Sequence, residues 1–253
     1  MIYEIRFYEV AAGQMAEELR RMAILAYGGE RDADGRTPGY ETSCMALYKV
    51  PPMVGVWSAR AGQGLGRFFY MCRYEDIAER DRVWTRFWNS PELAATIAAT
   101  TKTKAQVVEH TFPVMMRPNP AWASVRRQFP SSGPVGGVHE LWLDRIAFGE
   151  GARAHRLLGE IDLPFLCRRG ATVLGSFDVW IGPDIPTTMT FLAWPDDATR
   201  QAGLAALDRD AASLAARRDA QAACKGLLIE KRESFLMAPA PYAIPLANFG
   251  EPA

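Results

Sequence analysis

Between Ile2 and Val10 apolar and polar positions alternate. Tyr3, Ile5 and Phe7 fall on one side and Glu4, Arg6 and Tyr8 on the other, the two-residue period of a strand that uses both faces. After Gly13 the period lengthens. Met15, Leu19, Met22 and Leu25 or Ala26 recur at three-to-four spacing, which predicts an amphipathic helix with Glu17, Glu18, Arg20 and Arg21 outside. The polar, glycine-rich residues 28–39 predict a loop, and residues 53–60 and 67–74 predict a hairpin turned by GQGLG. A helix with an aromatic stripe (Val83, Trp84, Phe87, Trp88), a second helical piece from Pro91 and a strand over 106–114 complete the first run. The prolines and glycines between 113 and 137 then break every period, as in a linker. The order returns as strand 138–146, helix 150–161, strands 172–181 and 187–194, helix 197–223 and strand 226–236. Four segments result: a first domain at 1–114, a linker at 115–137, a second domain at 138–237, and a C-terminal tail at 238–253 expected to lie on the surface.

The recurrence extends to residues. Ile2–Gly13 lies on Val138–Gly149 without a gap, at a displacement of 136, with Glu4 on Glu140 and Gly13 on Gly149. Residues 54–57 lie on 174–177, and Tyr74-Glu75-Asp76 on Trp194-Pro195-Asp196, at a displacement of 120. The difference of 16 residues places an insertion of the first half within 28–52. Each half has the order βαββαβ of a ferredoxin-like unit, an antiparallel sheet with both helices on one face. The predicted fold class is therefore α+β, two tandem ferredoxin-like units packed as an α/β barrel.

Composition narrows the partners. Lys plus Arg and Asp plus Glu both number 29, so the net charge is zero, which argues against a nucleic-acid or membrane-surface footprint. No apolar run approaches the ~18 residues of a membrane span, and a cytoplasmic protein is expected. Four scattered cysteines suit reduced buried thiols better than disulfides or a metal site.

The segments YEIRFYEVAAGQMAEEL and VGVWSARAGQGLGRFFYMCRYEDIAERDRVW resemble the NIPSNAP family, with its Tyr-Glu-Leu-Arg strand, small-residue turn and Tyr-Glu-Asp strand end before an Ala-Glu-Arg helix. The resemblance covers most of 1–114 and, more weakly, 138–237, where Pro195 replaces the Glu of Tyr-Glu-Asp. It implies the dimeric α/β-barrel superfamily in tandem form, a homo-oligomer, and a superfamily that includes cofactor-free monooxygenases, isomerases, lyases and haem enzymes.

Nucleotide, zinc-protease and serine-hydrolase motifs are absent from the sequence. The catalytic candidates are His155, His139, Tyr70 and Glu41. His155 is the twin of core position Leu19 and is predicted to point at the sheet; His139 is the twin of Tyr3. A satisfied core histidine is the plainer alternative for each. Tyr8, Trp57, Arg73, Trp84, Trp88, Tyr48 and Trp142 are the substrate-binding candidates, an aromatic set that also reads as core. Tyr40, Glu41, Cys44 and Tyr48 of the insertion form a candidate lid. Glu4 and Glu140 are expected to face a polar barrel interior, paired with Arg6 or Arg73. The leading expectation is a cofactor-independent enzyme that moves a proton on a mostly apolar metabolite held between sheet and helices. A haem-binding barrel with His155 or His110 as axial ligand, and a non-catalytic binding or scaffold protein, stand as alternatives.

Overall fold

The computed structural model describes residues 1–30, 32, 37–62, 66–100 and 107–250. The centre of the GQGLG turn, Gln106 at the expected start of the fourth strand, part of the insertion (31 and 33–36) and the last three residues lie outside the described residues.

Among the described residues eight strands occur: β1 Ile2–Val10, β2 Gly55–Gly62, β3 Arg67–Tyr74, β4 Val108–Pro118, β5 Val138–Ile146, β6 Thr172–Ile181, β7 Thr187–Trp194 and β8 Ile229–Pro239. They follow one another as a closed antiparallel barrel in the order β1-β3-β2-β8-β5-β7-β6-β4. The predicted α+β class and strand count hold. Two compact units share the chain: Met1–Ala59, Gly66–Pro113 and Ala240–Ile244 form the first, and Arg60–Leu65, Val114–Pro239 and Pro245–Ala253 the second.

In the first unit β1 runs antiparallel to β3, with Arg6 opposite Tyr70, and β2 pairs with β3, with Trp57 opposite Phe69. Cross-strand partners share a face. One face therefore carries Tyr3, Ile5, Phe7, Trp57, Phe69 and Met71, all buried. The Phe7 ring meets Phe69 edge-on at 5.1 Å and stacks on Phe112 at 5.0 Å. The other face carries Glu4, Arg6, Tyr8, Phe68, Tyr70 and Cys72 and is covered by α1 (Met15–Tyr27), α3 (Ile77–Trp88) and α4 (Pro91–Thr100). Asp76 starts α3 by accepting from the Glu79 N–H, an N-cap. The insertion forms one turn over Tyr40–Thr42 and the short helix α2, Cys44–Leu47.

In the second unit β5 pairs with β7 and β8, and β6 with β7 and β4. Helix α8 (Asp197–Leu207) opens on Asp196, which accepts from the Thr199 N–H, the twin of the Asp76 cap. The expected single helix 197–223 is broken. Asp210 accepts from the Ser213 N–H and starts α9, Ala211–Ala222. The segment expected as an irregular linker contains α5, Pro120–Gln128, capped by Asn119, with Ala121, Trp122 and Val125 buried. The helix predicted over 150–161 runs further, as α6 (Gly151–Arg156), a π-helical turn over Leu157–Asp162, and α7 (Leu163–Arg168). Gly159 lies in that turn, and a Cβ there would stand 2.7 Å from the Ala121 Cα, so only glycine lets α5 approach so closely.

The tail is a correction too. Phe249, with φ of 46°, is buried among Trp122, Phe177 and Phe191 rather than on the surface. In the first unit the Tyr242 hydroxyl donates to the Leu19 carbonyl at 2.9 Å. No helix among the described residues is long and apolar enough to cross a membrane.

Candidate functional site

On the helix-covered face of the first unit lies a cavity of about 410 Å³, in the range of small-molecule sites. Its walls are apolar: Met22 and Leu25 of α1, Met45 of α2, Met53, Trp84, Phe87 and Trp88 of α3, and Leu93 and Ile97 of α4. Polar groups are few. Tyr8, Tyr70, Glu18, Arg21 and Thr111 supply them.

Tyr8 and Tyr70 stand on adjacent strands with their rings 5.5 Å apart and their hydroxyl oxygens 3.3 Å apart. Burial raises the pKa of both above the ordinary phenol value, and Tyr70 well above it, so both hydroxyls remain protonated hydrogen-bond donors at neutral pH. Arg6 is electrostatically coupled to both phenols. Its guanidinium lies 3.8 Å from the centre of the Trp84 ring, a cation–π stack, and donates to Glu4 at 2.7 Å. Trp88 stacks on Trp84 at 5.5 Å and is half exposed.

Glu18 is the acid of the cavity. The residue is 3% exposed, and its Oε2 lies 3.5 Å from Arg21 Nη1, close enough for an ion pair but without a hydrogen-bond partner. Burial pushes its pKa up to about 7, with Glu17 adding to the rise and Arg21 opposing it. A buried carboxyl that ionises near neutrality is the usual condition of a general base or acid. Sequence reasoning placed Glu18 on the solvent side. The stripe of α1 is turned by about one residue from the expected one: Glu18, Met22, Ala23 and Ala26 are the buried positions, while Leu19 is only partly buried. Glu18, Met22 and Leu25 also keep three-to-four spacing, but a charged side chain ordinarily faces water, which hides this register in the sequence.

Of the predicted residues, Tyr8, Tyr70, Trp84 and Trp88 come together in the cavity. The others do not line it. Trp57 and Arg73 sit on the opposite face of their strands from Tyr70. Glu41 is exposed, and the Tyr48 hydroxyl donates to Glu92. From the candidate lid, it is Met45 that reaches the cavity rather than Tyr40, Glu41, Cys44 or Tyr48. The Tyr40 hydroxyl donates to the Val50 carbonyl. Glu4 faces the helices rather than the barrel interior, held by Arg80 of α3 at 2.6 and 3.1 Å as well as by Arg6.

His155 shares the turn of the helical stripe that moves Leu19, and its Nε2 bonds Asp178 Oδ1 at 2.9 Å. Asp178 also accepts from Thr188 and Asn119. His139 is buried with Nε2 3.0 Å from the Val135 carbonyl and 3.3 Å from that of Gly136. Burial lowers its pKa to about 4, so at neutral pH it is an uncharged core histidine. His110 is exposed on β4, its ring 5.8 Å from Phe112. No histidine or cysteine is among the described residues that line the cavity, and those residues hold no cluster of three His, Cys, Asp or Glu fit for a metal ion.

The second unit keeps the frame but not the cavity-lining side chains. Glu140 and Arg200 repeat the Glu4–Arg80 ion pair at 2.8 and 2.9 Å. Yet Asp144 replaces Tyr8, Ala154 replaces Glu18, Leu157 replaces Arg21, Thr190 replaces Tyr70 and Leu204 replaces Trp84. Arg232 binds Asp144 at 2.6 and 2.7 Å and covers the Trp142 ring at 4.0 Å. Trp142 is thus packing within an ion-paired layer, and Asp162 adds a second pair with Arg217 at 3.1 Å.

Fold and site together define a tandem ferredoxin-like α/β-barrel protein with an apolar cavity on the helix-covered face of its first unit. Residues 37–117 match the NIPSNAP family model. Among solved structures, a putative monooxygenase from Lactobacillus acidophilus is similar over 98% of this chain and 96% of its own at 8% identity, with a TM-score of 0.53. An anthrone oxidase-like protein is similar over 99% and 94% at 9% identity, also with a TM-score of 0.53. These likenesses establish the fold. A NIPSNAP domain protein from Burkholderia xenovorans is 20% identical over 47% of this chain and 96% of its own, with a TM-score of 0.36. No curated protein matches the chain.

Proposed function

We propose that this protein is a small-molecule enzyme whose working site is the first unit's cavity, where it moves a proton on a mostly apolar metabolite without a cofactor. The observation that carries the reading is one enclosure holding two protonated phenols and a buried carboxyl of near-neutral pKa inside apolar and aromatic walls. Hydrogen-bond donors and a proton acceptor in a desolvated pocket are the parts that proton transfer requires. The names of the similar full-length structures, a putative monooxygenase and an anthrone oxidase-like protein, support a role in small-molecule chemistry.

The test is binding. Naphthalene and 2-naphthol should quench the fluorescence of the Trp84–Trp88 stack, and filling the cavity by Leu25→Trp should weaken both at least tenfold. Equal binding by wild type and L25W would overturn the assignment of the cavity.

A further inference from the structure

Resting on that reading, we infer that the site takes an enolisable carbonyl compound: Glu18 exchanges the proton on the carbon beside the carbonyl, and the Tyr8–Tyr70 hydroxyl pair holds the oxygen that becomes the enolate. The two groups come from different elements and face one enclosure, Glu18 from α1 and the phenols from β1 and β3. The hydroxyl oxygens stand 3.3 Å apart, longer than the usual O–H···O bond, and Arg6 also hydrogen-bonds Tyr8, so the weak contact between the two phenols leaves them suited to converging on a third oxygen. Arg6, coupled to both phenols and stacked on Trp84, places positive charge beside that position. The Glu18 Oε2 has no hydrogen-bond partner, which leaves a lone pair available in the cavity. A neutral apolar ligand without a carbonyl would use none of these polar groups, and a ligand bearing a permanent negative charge would be buried beside Glu18 at a cost.

The step balances without an oxidant or reductant. The Glu18 carboxylate accepts the proton from carbon. The C–H electron pair becomes the C=C bond, the carbonyl π pair moves onto oxygen, and that oxygen accepts hydrogen bonds from the phenols. Return of the same proton from the Glu18 carboxyl, to the original carbon or to a conjugated one, regenerates the carbonyl in its first or an isomerised position. The phenols stay protonated throughout, because their raised pKa values prevent them from serving as bases. Burial first, then Arg21 and Glu17 of its own helix, set the Glu18 titration, and Tyr8 of β1 and Tyr242 lie near enough to feel its charge.

The probe is 2-tetralone, an apolar bicyclic ketone with acidic hydrogens beside its carbonyl, followed by NMR in deuterated buffer. Naphthalene binding is measured alongside as a readout independent of proton transfer. Wild type should accelerate deuterium incorporation, with a rate that rises with pH through the Glu18 titration and then levels. Glu18→Gln should bind naphthalene within threefold of wild type while losing at least about a hundredfold in exchange. Tyr8→Phe and Tyr70→Phe, which keep the ring shapes, should each lower exchange about tenfold and leave naphthalene binding unchanged. Naphthalene binding without exchange by wild type, or exchange by E18Q within threefold of wild type, overturns this inference and leaves the cavity as a binding site. Binding of neither compound overturns the cavity reading as well.

Discussion

The hydroxyls of Tyr8 and Tyr70 meet at 3.3 Å on neighbouring antiparallel strands, a pair that the second half of the chain replaces with Asp144 and Thr190. Asp144 is committed to Arg232, and the Thr190 hydroxyl lies 2.9 Å from that of Ser176. One duplicated frame thus carries a loosely joined phenol pair in the first copy and tightly bonded polar pairs in the second.

The first prediction concerns that pair. Tyr70→Phe should weaken 2-naphthol binding about fivefold to tenfold, the worth of one hydrogen bond of about 1 kcal/mol, and leave naphthalene unaffected. Titration of tryptophan fluorescence with both ligands checks it; equal losses for the two would mean a packing effect instead.

Glu18 should make the protein less stable as pH rises. Its folded-state pKa of about 7 exceeds the ordinary 4.5, so the folded state binds more protons between these values. The stabilisation is complete below about pH 4.5 and is lost as pH rises through about 7, a change on the order of 3 kcal/mol. Urea unfolding between pH 5 and 8 should show a falling contribution that E18Q removes.

His139 acts with the opposite sign. Its folded pKa of about 4 lies below the ordinary 6.5, so its contribution is present above about pH 6.5 and is lost as pH falls through about 4. Replacing it with the uncharged His139→Gln should flatten the acid side of the stability profile, and an unchanged acid limb would contradict the buried neutral imidazole.

The paired carboxylates give a differential test. Glu4 is bound by both Arg80 and Arg6, whereas at the Arg6 position the second copy has Trp142, leaving Arg200 to hold Glu140. Arg200→Met should therefore destabilise more than Arg80→Met, by about 1–3 kcal/mol, since stranding a buried charge is the costly outcome. Chemical denaturation of the two variants measures the gap.

Much of the frame was legible in the sequence. Period-two alternation at Ile2–Val10 and its echo at Val138–Ile146 marked the strands and the repeat, because these signals are local. The aromatic members of the cavity, Tyr8, Tyr70, Trp84 and Trp88, were also legible from the stripe and the strand faces. What failed was orientation. A turn of about one residue in α1 brought Glu18 inside and carried Leu19 and its twin His155 to the edge, and periodicity near 3.6 does not resolve a shift that small. Helix α5 and buried Phe249 were hidden for another reason: proline-rich segments show no period, and their burial depends on partners distant in the chain.

The central claim, that the first unit's cavity is the working site, is tested most directly by a crystal structure of the protein with 2-naphthol. The account predicts the ring system between Met22, Trp84 and Leu93, with its oxygen within hydrogen-bond distance of the Tyr8 and Tyr70 hydroxyls and Glu18 facing the ring carbon beside it. Density for 2-naphthol in the second unit alone, or in the cavity with its oxygen turned away from both tyrosines, would contradict it.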